Sequence, residues 1–178
     1  MIAAVALKGF NMASLSSSAS PIAAAPPTRV RRRLCFESLA DILADAEAMA
    51  SQPVVTLGAW SAAQNIEHVR RLVRIAHAGT DVRVNVAFRV LGRSLRSRFL
   101  RSPFRPGLKT HKSFEPPAGI TMDEAIVAFR AEIASASRPG AMSFPSPLLG
   151  RLTHEQWEQL HCRHAELHFG FVLPADAS

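Results

Sequence analysis

The chain has 178 residues, of which 48% are hydrophobic and 20% are charged, and its formal net charge is +7. This composition suits a single domain with a real core and excludes a chain that is disordered throughout. Two cysteines without a CxxC pattern exclude a disulfide framework, and the absence of an apolar run of about 18 residues excludes a transmembrane helix.

Residues 1–28 are rich in alanine, serine and proline and predict a mobile tail. A signal peptide is the alternative, because Ala23-Ala24-Ala25 resembles a cleavage site, but no basic region precedes the short apolar run. A cytoplasmic location is therefore favoured, and export is left open. The basic run at residues 29–33 predicts a solvated lead-in strand, with a nucleic-acid or nuclear-import patch as the alternative.

Two amphipathic helices follow this run. The first is predicted over residues 38–50, with Ser38 as its N-cap and Asp41 three residues later. The second opens at Ser61, forms a capping box with Gln64 and stops at Gly79. His68 lies at the edge of its apolar stripe, whereas His77 is nine residues further and therefore about 180° away on the helix, so the two cannot share a ligand.

Three more segments complete the chain. Residues 84–101 predict a third helix, whose apolar face comprises Val84, Phe88, Leu91, Leu95 and Phe99. Residues 102–120 form a long connection. Connections of this length are uncommon unless they cover another part of the protein. Thr121 and Glu124 start a fourth helix, a Pro/Gly-rich link spans residues 138–152, and Thr153 with Gln156 caps the last helix.

All long segments have helical periodicity, and none has the alternation of a convincing strand. Amphipathic helices with one apolar stripe pack as bundles. The sequence therefore predicts an all-α, up-and-down four-helix bundle with one extra short or peripheral helix. This domain is expected over residues 29–173, with a second tail at residues 174–178.

The last helix carries an unusual concentration of histidine. His161, His164 and His168 all fall on the face that should be buried, although imidazole nitrogens need partners away from water. His164 and His168 are four residues apart, so they lie one turn apart on the same face and can bind one ion. His161 is about 10 Å along the axis from His168 and is expected to be a neighbouring or substrate-contacting residue.

A third ligand should come from another helix, and His68 is the best candidate. Three histidines leave coordination positions for water or substrate, as in catalytic sites. Imidazole ligands suit zinc, nickel, iron or copper, and the sequence does not select among them. The alternative is that these are core histidines whose nitrogens bond to the backbone, to Asn65 or to Glu67.

A resemblance to a known family rests on these same residues. The stretch from Trp60 through Gln64 to His68 resembles the Trp-x-x-x-Gln-x-x-x-His element of the DinB-like (YfiT-like) metalloenzyme superfamily, and His164-x-x-x-His168 is similar to its C-terminal HxxxH. The likeness spans about residues 33–172 and is strongest to an uncharacterised domain-of-unknown-function branch. It implies a four-helix bundle in which His68, His164 and His168 bind a divalent metal.

Characterised members of the superfamily include metal-dependent transferases and isomerases that use low-molecular-weight thiols. The resemblance thus implies a small-molecule substrate and a thiol S-transferase, with metal-assisted hydrolysis as the alternative within an enzyme. Arg105 and Lys109 would attract an anionic substrate. Cys35 and Cys162 are not expected to be nucleophiles.

Two further readings compete with an enzyme. One is a non-catalytic metal-binding or structural bundle, for which a homodimer is left open. The other is an interaction module that meets acidic lipid or phosphate. Its basic residues would be Arg89, Arg93, Arg96, Arg98 and Arg101. No aromatic side chains interleave these arginines on their exposed face, which argues against nucleic acid, and a solvated face is favoured.

Overall fold

Six α-helices account for most of the regular structure in a computed structural model that describes residues 29–107 and 111–175. The helices are α1 (Leu39–Ala50), α2 (Ala62–Ala78), α3 (Val86–Ser94), α4 (Arg96–Arg101), α5 (Met122–Ala136) and α6 (His154–Phe169). A 3₁₀ turn (Lys112–Phe114) follows α4, and two short strands are β1 (Val54–Thr56) and β2 (Val172–Pro174). The predicted helical class is confirmed, with a small sheet in addition. The predictions for residues 1–28, Lys109 and residues 176–178 lie outside the described residues.

Four helices begin with the capping boxes that the sequence predicts. In each, the N-cap side chain accepts a hydrogen bond from a backbone N–H three residues later, and that later side chain accepts one in return. The pairs are Ser38 with Asp41, Ser61 with Gln64, Thr121 with Glu124, and Thr153 with Gln156. These caps fix where the chain turns into α1, α2, α5 and α6.

The core lies where α1, α2, α5 and α6 meet. Helix α2 packs against α5 and α6, and α1 packs against the same two helices. Ile42, Ile66, Phe129 and Phe169 are completely buried there, and the rings of Phe129 and Phe169 meet edge to face at 6.3 Å. Burial of side chains of this size stabilises the fold by about 1.5–3 kcal/mol each, so the apolar stripes hold these helices together.

The predicted third helix differs from the structure in two ways. It is divided at Leu95 into α3 and α4, and its apolar side chains Phe88 and Leu91 are more than half exposed. Gly92 is the buried residue of α3. Its backbone packs so closely on Leu148 that a Cβ at this position would lie only 2.7 Å from it. The helix thus meets the rest of the fold near its C-terminal end, and its first turns remain in solvent.

The two-stranded sheet was not expected from the sequence. Strands β1 and β2 are antiparallel, with Val54 opposite Pro174 and Thr56 opposite Val172. Three residues are too few to display the alternation by which a strand is recognised. The ladder ties the end of α6 to the loop after α1, and it extends one residue past the predicted end of the domain.

Two arginines of the basic run before α1 make tertiary contacts, whereas Arg29, Val30 and Arg33 are exposed, as the prediction of a solvated lead-in expects. The guanidinium of Arg32 donates two hydrogen bonds to Asp45, at 2.8 and 2.7 Å, and its backbone N–H donates to the carbonyl of Gly170. Arg31 lies 4.1 Å above the ring of Phe171 and donates to the carbonyl of Leu167. These residues fasten the N-terminal segment across α6.

That segment also buries a side of α6 that a helical wheel assigns to solvent. Cys162 is 1% exposed and Glu166 is 6% exposed. The Glu166 carboxylate accepts a hydrogen bond from the backbone N–H of Phe36 at 2.8 Å and pairs with Arg163. Burial raises the pKa of the Cys162 thiol to about 12. The thiol is therefore protonated at neutral pH, which agrees with the expectation that it is not a nucleophile.

Candidate metal centre

The structure brings the three predicted histidine ligands together from two helices. His68 lies midway along α2, and His164 and His168 lie one turn apart on α6. One potential ligand nitrogen from each ring lies within 4.8 Å of the other two. The ring centroids are 5.1 Å apart for His68 and His164, 4.4 Å for His68 and His168, and 4.6 Å for His164 and His168. The three rings therefore surround a common point.

This arrangement is compatible with one bound divalent ion. Metal–nitrogen bonds of about 2.1 Å in a tetrahedral site place two ligand nitrogens about 3.4 Å apart. The nitrogens of the cluster lie within 4.8 Å, so a change of about 1–2 Å through side-chain rotation would bring them to bonding distance. In addition, His164 Nδ1 is buried without a hydrogen-bond partner among the described residues, as is expected where a ring turns to meet an ion.

One hydrogen bond sets the protonation of His68. Its Nδ1 lies 2.8 Å from the carbonyl oxygen of Phe114. A carbonyl only accepts, so Nδ1 carries the proton and Nε2 keeps its lone pair for a metal. Asn65 donates to the carbonyls of Trp60 and Ser61, and Glu67 pairs with Arg70 and Arg71. Neither Asn65 nor Glu67 bonds to His68. Of the three partners considered for a core histidine, His68 therefore has only the backbone carbonyl.

Aromatic side chains line the cluster. The indole of Trp60 stacks on His168 with 5.7 Å between centroids and an angle of 19°, and it lies 4.8 Å from His68. Phe104, from the long connection, meets the ring of His164 edge to face at 6.1 Å. Phe114 of the same connection supplies the carbonyl that holds His68. The described part of the connection thus contacts His68 and His164.

The environment keeps these imidazoles neutral. Burial lowers the pKa of His164 well below its usual range, and the neighbouring His168 and His68 lower it further. Burial, and then the proximity of His68, lower the pKa of His168 to about 3. For His68 burial is also the largest cause, and its net pKa shift is downward although the Phe114 carbonyl opposes it. Because a metal binds the neutral ring, protons compete weakly at this site near pH 7.

The remaining histidines lie outside the cluster. His161 is 2% exposed and stacks on Trp157, with 5.2 Å between centroids, and its Nε2 has no hydrogen-bond partner among the described residues. Its contact with a substrate or with a ligand histidine stays a prediction. His77 pairs with Glu132 of α5, and His111 accepts a hydrogen bond from the N–H of Ser113 in the 3₁₀ turn.

Sequence reasoning missed the role of Trp60 and Phe104 as walls of the cluster. Trp60 is half-buried, and its ring faces two histidines. It lies just before Ser61, the N-cap of α2, and its place in the same Trp-x-x-x-Gln-x-x-x-His element as His68 was the signal that could have placed it there. Phe104 lies in an irregular segment, where residue spacing carries no geometric information.

Comparison with known proteins places the chain in a family but attaches no activity to it. The family described as "Protein of unknown function (DUF1569)" matches residues 28–175. No curated protein and no solved structure matches the chain significantly. The match spans the helices, the small sheet and all three histidines of the cluster. The chain therefore belongs to the DUF1569 family.

Proposed function

We propose that this chain is a DinB-like metalloenzyme in which His68, His164 and His168 hold one divalent transition metal inside a four-helix bundle. The observation that carries the proposal is the convergence of three imidazole nitrogens, within 4.8 Å of one another, from positions 68, 164 and 168. Chance histidines on one helix do not account for it, because the third ring comes from a different helix 96 residues earlier in the chain.

The packing of the helices supports the bundle. Helices α1, α2, α5 and α6 share the core, and the two that carry the ligands, α2 and α6, are in direct contact. Metal sites in bundles are built from side chains on facing helices, which is the relation between His68 and the α6 pair. Helices α3 and α4 would then be additions to the bundle.

The donor set favours a catalytic over a purely structural centre. Three protein ligands leave at least one coordination position for a substrate or water. A divalent metal held there would supply Lewis acidity and lower the pKa of a bound thiol or water. The Phe114 carbonyl holds His68 in the tautomer that presents Nε2, and Trp60 and Phe104 contact the rings of His168 and His164.

The leading reaction class is transfer to or from a low-molecular-weight thiol, as the DinB-like resemblance implies, and metal-assisted hydrolysis is the alternative. The chain's own cysteines would not provide the sulfur. Cys162 is buried with a raised pKa, and neither it nor the exposed Cys35 belongs to the histidine cluster. The thiol would therefore be a diffusible small molecule. A structural metal site is the second candidate, since His68 is only 2% exposed.

Cobalt spectroscopy separates these readings. Metal-free chain without an affinity tag is titrated with Co²⁺, and the visible ligand-field bands should saturate at one equivalent. Addition of cysteine as a probe thiol should then produce a sulfur-to-cobalt charge-transfer band in the near ultraviolet. Saturation without any response to cysteine or to azide would support the structural site. The absence of saturable cobalt bands would overturn the metal proposal itself.

A further inference from the structure

A cavity of about 450 Å³ opens between α4 and α6. Helix α4 contributes Arg96 and Arg101 to its lining, and α6 contributes Arg163, Gln156 and Gln159. None of the cluster histidines lines it. A ligand in this cavity would therefore not need a metal bound at the cluster.

The lining is positively charged and contains no carboxylate. Within residues 29–107 and 111–175, Arg96 and Arg101 form no ion pair. Arg96 donates one hydrogen bond, to the carbonyl of Arg151 at 3.1 Å, which leaves its other guanidinium N–H groups free of protein acceptors among the described residues. Two cationic side chains thus meet at the cavity without an internal counter-charge.

The guanidinium of Arg163, which also lines the cavity, is held in place by two contacts. Its guanidinium donates to the carbonyl of Phe36 at 2.6 Å and pairs with Glu166 at 2.9 Å. Its side chain is only 19% exposed. A guanidinium held at two points loses little further freedom when it meets a ligand, so it can orient an anion rather than merely attract it.

In another arginine-lined cleft of the same molecule, carboxylates neutralise the arginines. Arg70 and Arg71 line a smaller cavity of about 260 Å³ beside the 3₁₀ turn. Both pair with Glu67, and Arg70 also pairs with Glu132. The charges of Arg70 and Arg71 are thus neutralised within the fold, whereas Arg96 and Arg101 between α4 and α6 form no ion pair among the described residues.

We propose that the cavity between α4 and α6 binds a small organic phosphate monoester. Guanidinium groups form paired hydrogen bonds with phosphate oxygens, and a monoester carries close to two negative charges at neutral pH. Arg96 and Arg101 together carry two positive charges without an ion-pair partner among the described residues, which a monoester balances better than a singly charged carboxylate ligand would. The volume is within the range of small-molecule sites and much larger than a phosphate group, so the organic part has room beside Gln156 and Gln159.

The test is calorimetric titration of the full-length, metal-free chain with phenyl phosphate, inorganic phosphate and benzoate. Phenyl phosphate should bind saturably at one site per chain, more tightly than either of the other two. Arg96→Gln and Arg101→Gln should each weaken phenyl phosphate about tenfold or more, as expected for a lost charged hydrogen bond. Absence of saturable phenyl phosphate binding would overturn the proposal.

A control variant locates the site. Arg98 lies on the same short helix, is exposed and does not line the cavity, so Arg98→Gln should change the affinity less than about twofold. Equal losses in Arg98→Gln and Arg101→Gln would mean diffuse attraction to a basic surface, which contradicts the proposed site.

Discussion

At the scale of single residues, the histidine cluster depends on side chains that do not belong to it. Trp60 stacks on His168 and closely approaches His68, so it restricts both rings. Residues that orient metal ligands typically contribute about 10–100-fold to metal affinity. We therefore expect Trp60→Ala to weaken Co²⁺ binding by about tenfold, measured in competition with a chelator.

A matched variant makes this prediction specific. Trp157 stacks on His161 and lies in the core, but neither residue belongs to the cluster. Trp157→Phe should lower the free energy of unfolding while leaving Co²⁺ affinity of the folded chain nearly unchanged. If Trp60→Ala binds Co²⁺ as tightly as the wild-type chain, Trp60 does not position the histidines.

At the scale of helices, α2 and α5 are joined by a buried charge network as well as by apolar contacts. Glu132 of α5 is 5% exposed and accepts hydrogen bonds from Arg70 and His77 of α2. Removal of one partner from such a network leaves buried charge uncompensated, at a cost of about 3–5 kcal/mol. Glu132→Gln should lower the free energy of unfolding by about 3 kcal/mol in urea denaturation.

The exposed pair between Glu47 and Arg130 provides the comparison. It joins α1 to the same helix α5, but the two side chains are 42% and 53% exposed. Exposed ion pairs contribute about 0–1 kcal/mol, so Glu47→Gln should lower the free energy of unfolding by less than about 1 kcal/mol. Similar losses from Glu47→Gln and Glu132→Gln would show that burial does not set the strength of the network.

At the scale of the whole molecule, buried histidines make stability depend on pH. Burial, with a smaller effect from His77, lowers the pKa of His161 to about 3, against about 6.5 for an unperturbed histidine. Between these values the unfolded chain binds a proton that the folded chain does not. The free energy of unfolding of the metal-free chain should therefore fall as the pH falls from about 6.5 towards 3, by up to about 1.4 kcal/mol per pH unit for this residue.

His161→Gln isolates that contribution, because glutamine fits a polar interior site but does not titrate. Urea unfolding between pH 7 and pH 4 should give a shallower pH dependence for the variant than for the metal-free wild-type chain. Identical slopes would mean that His161 is protonated equally well in the folded and unfolded states.

The helices and their boundaries were predictable because local chemistry determines them. The four capping boxes and Gly79 fix the ends of helices within a few residues, and the structure has them where the sequence places them. The sequence did not predict the break at Leu95, the exposure of Phe88 or the close approach of Gly92 to Leu148. That contact links distant parts of the chain, so helical periodicity could not reveal it.

The candidate site was predictable only for the residues that lie on helices. Helical spacing pairs His164 with His168, and the apolar boundary of α2 indicates His68. The wheel misplaced Cys162 and Glu166, since the segment before α1 covers their side of α6. Phe104 and the Phe114 carbonyl come from an irregular connection, where only the three-dimensional structure shows which groups meet.

The most direct test of the proposed metal centre is the metal content of the chain prepared without an affinity tag. After incubation with Zn²⁺, Ni²⁺ or Fe²⁺ and removal of excess metal, inductively coupled plasma mass spectrometry should find about one ion per wild-type chain for at least one of the three. His68→Ala and His164→Ala should each lose most of it, whereas His154→Ala, on the same helix but outside the cluster, should retain it. Less than about 0.1 ion per wild-type chain with every metal would contradict the proposed centre.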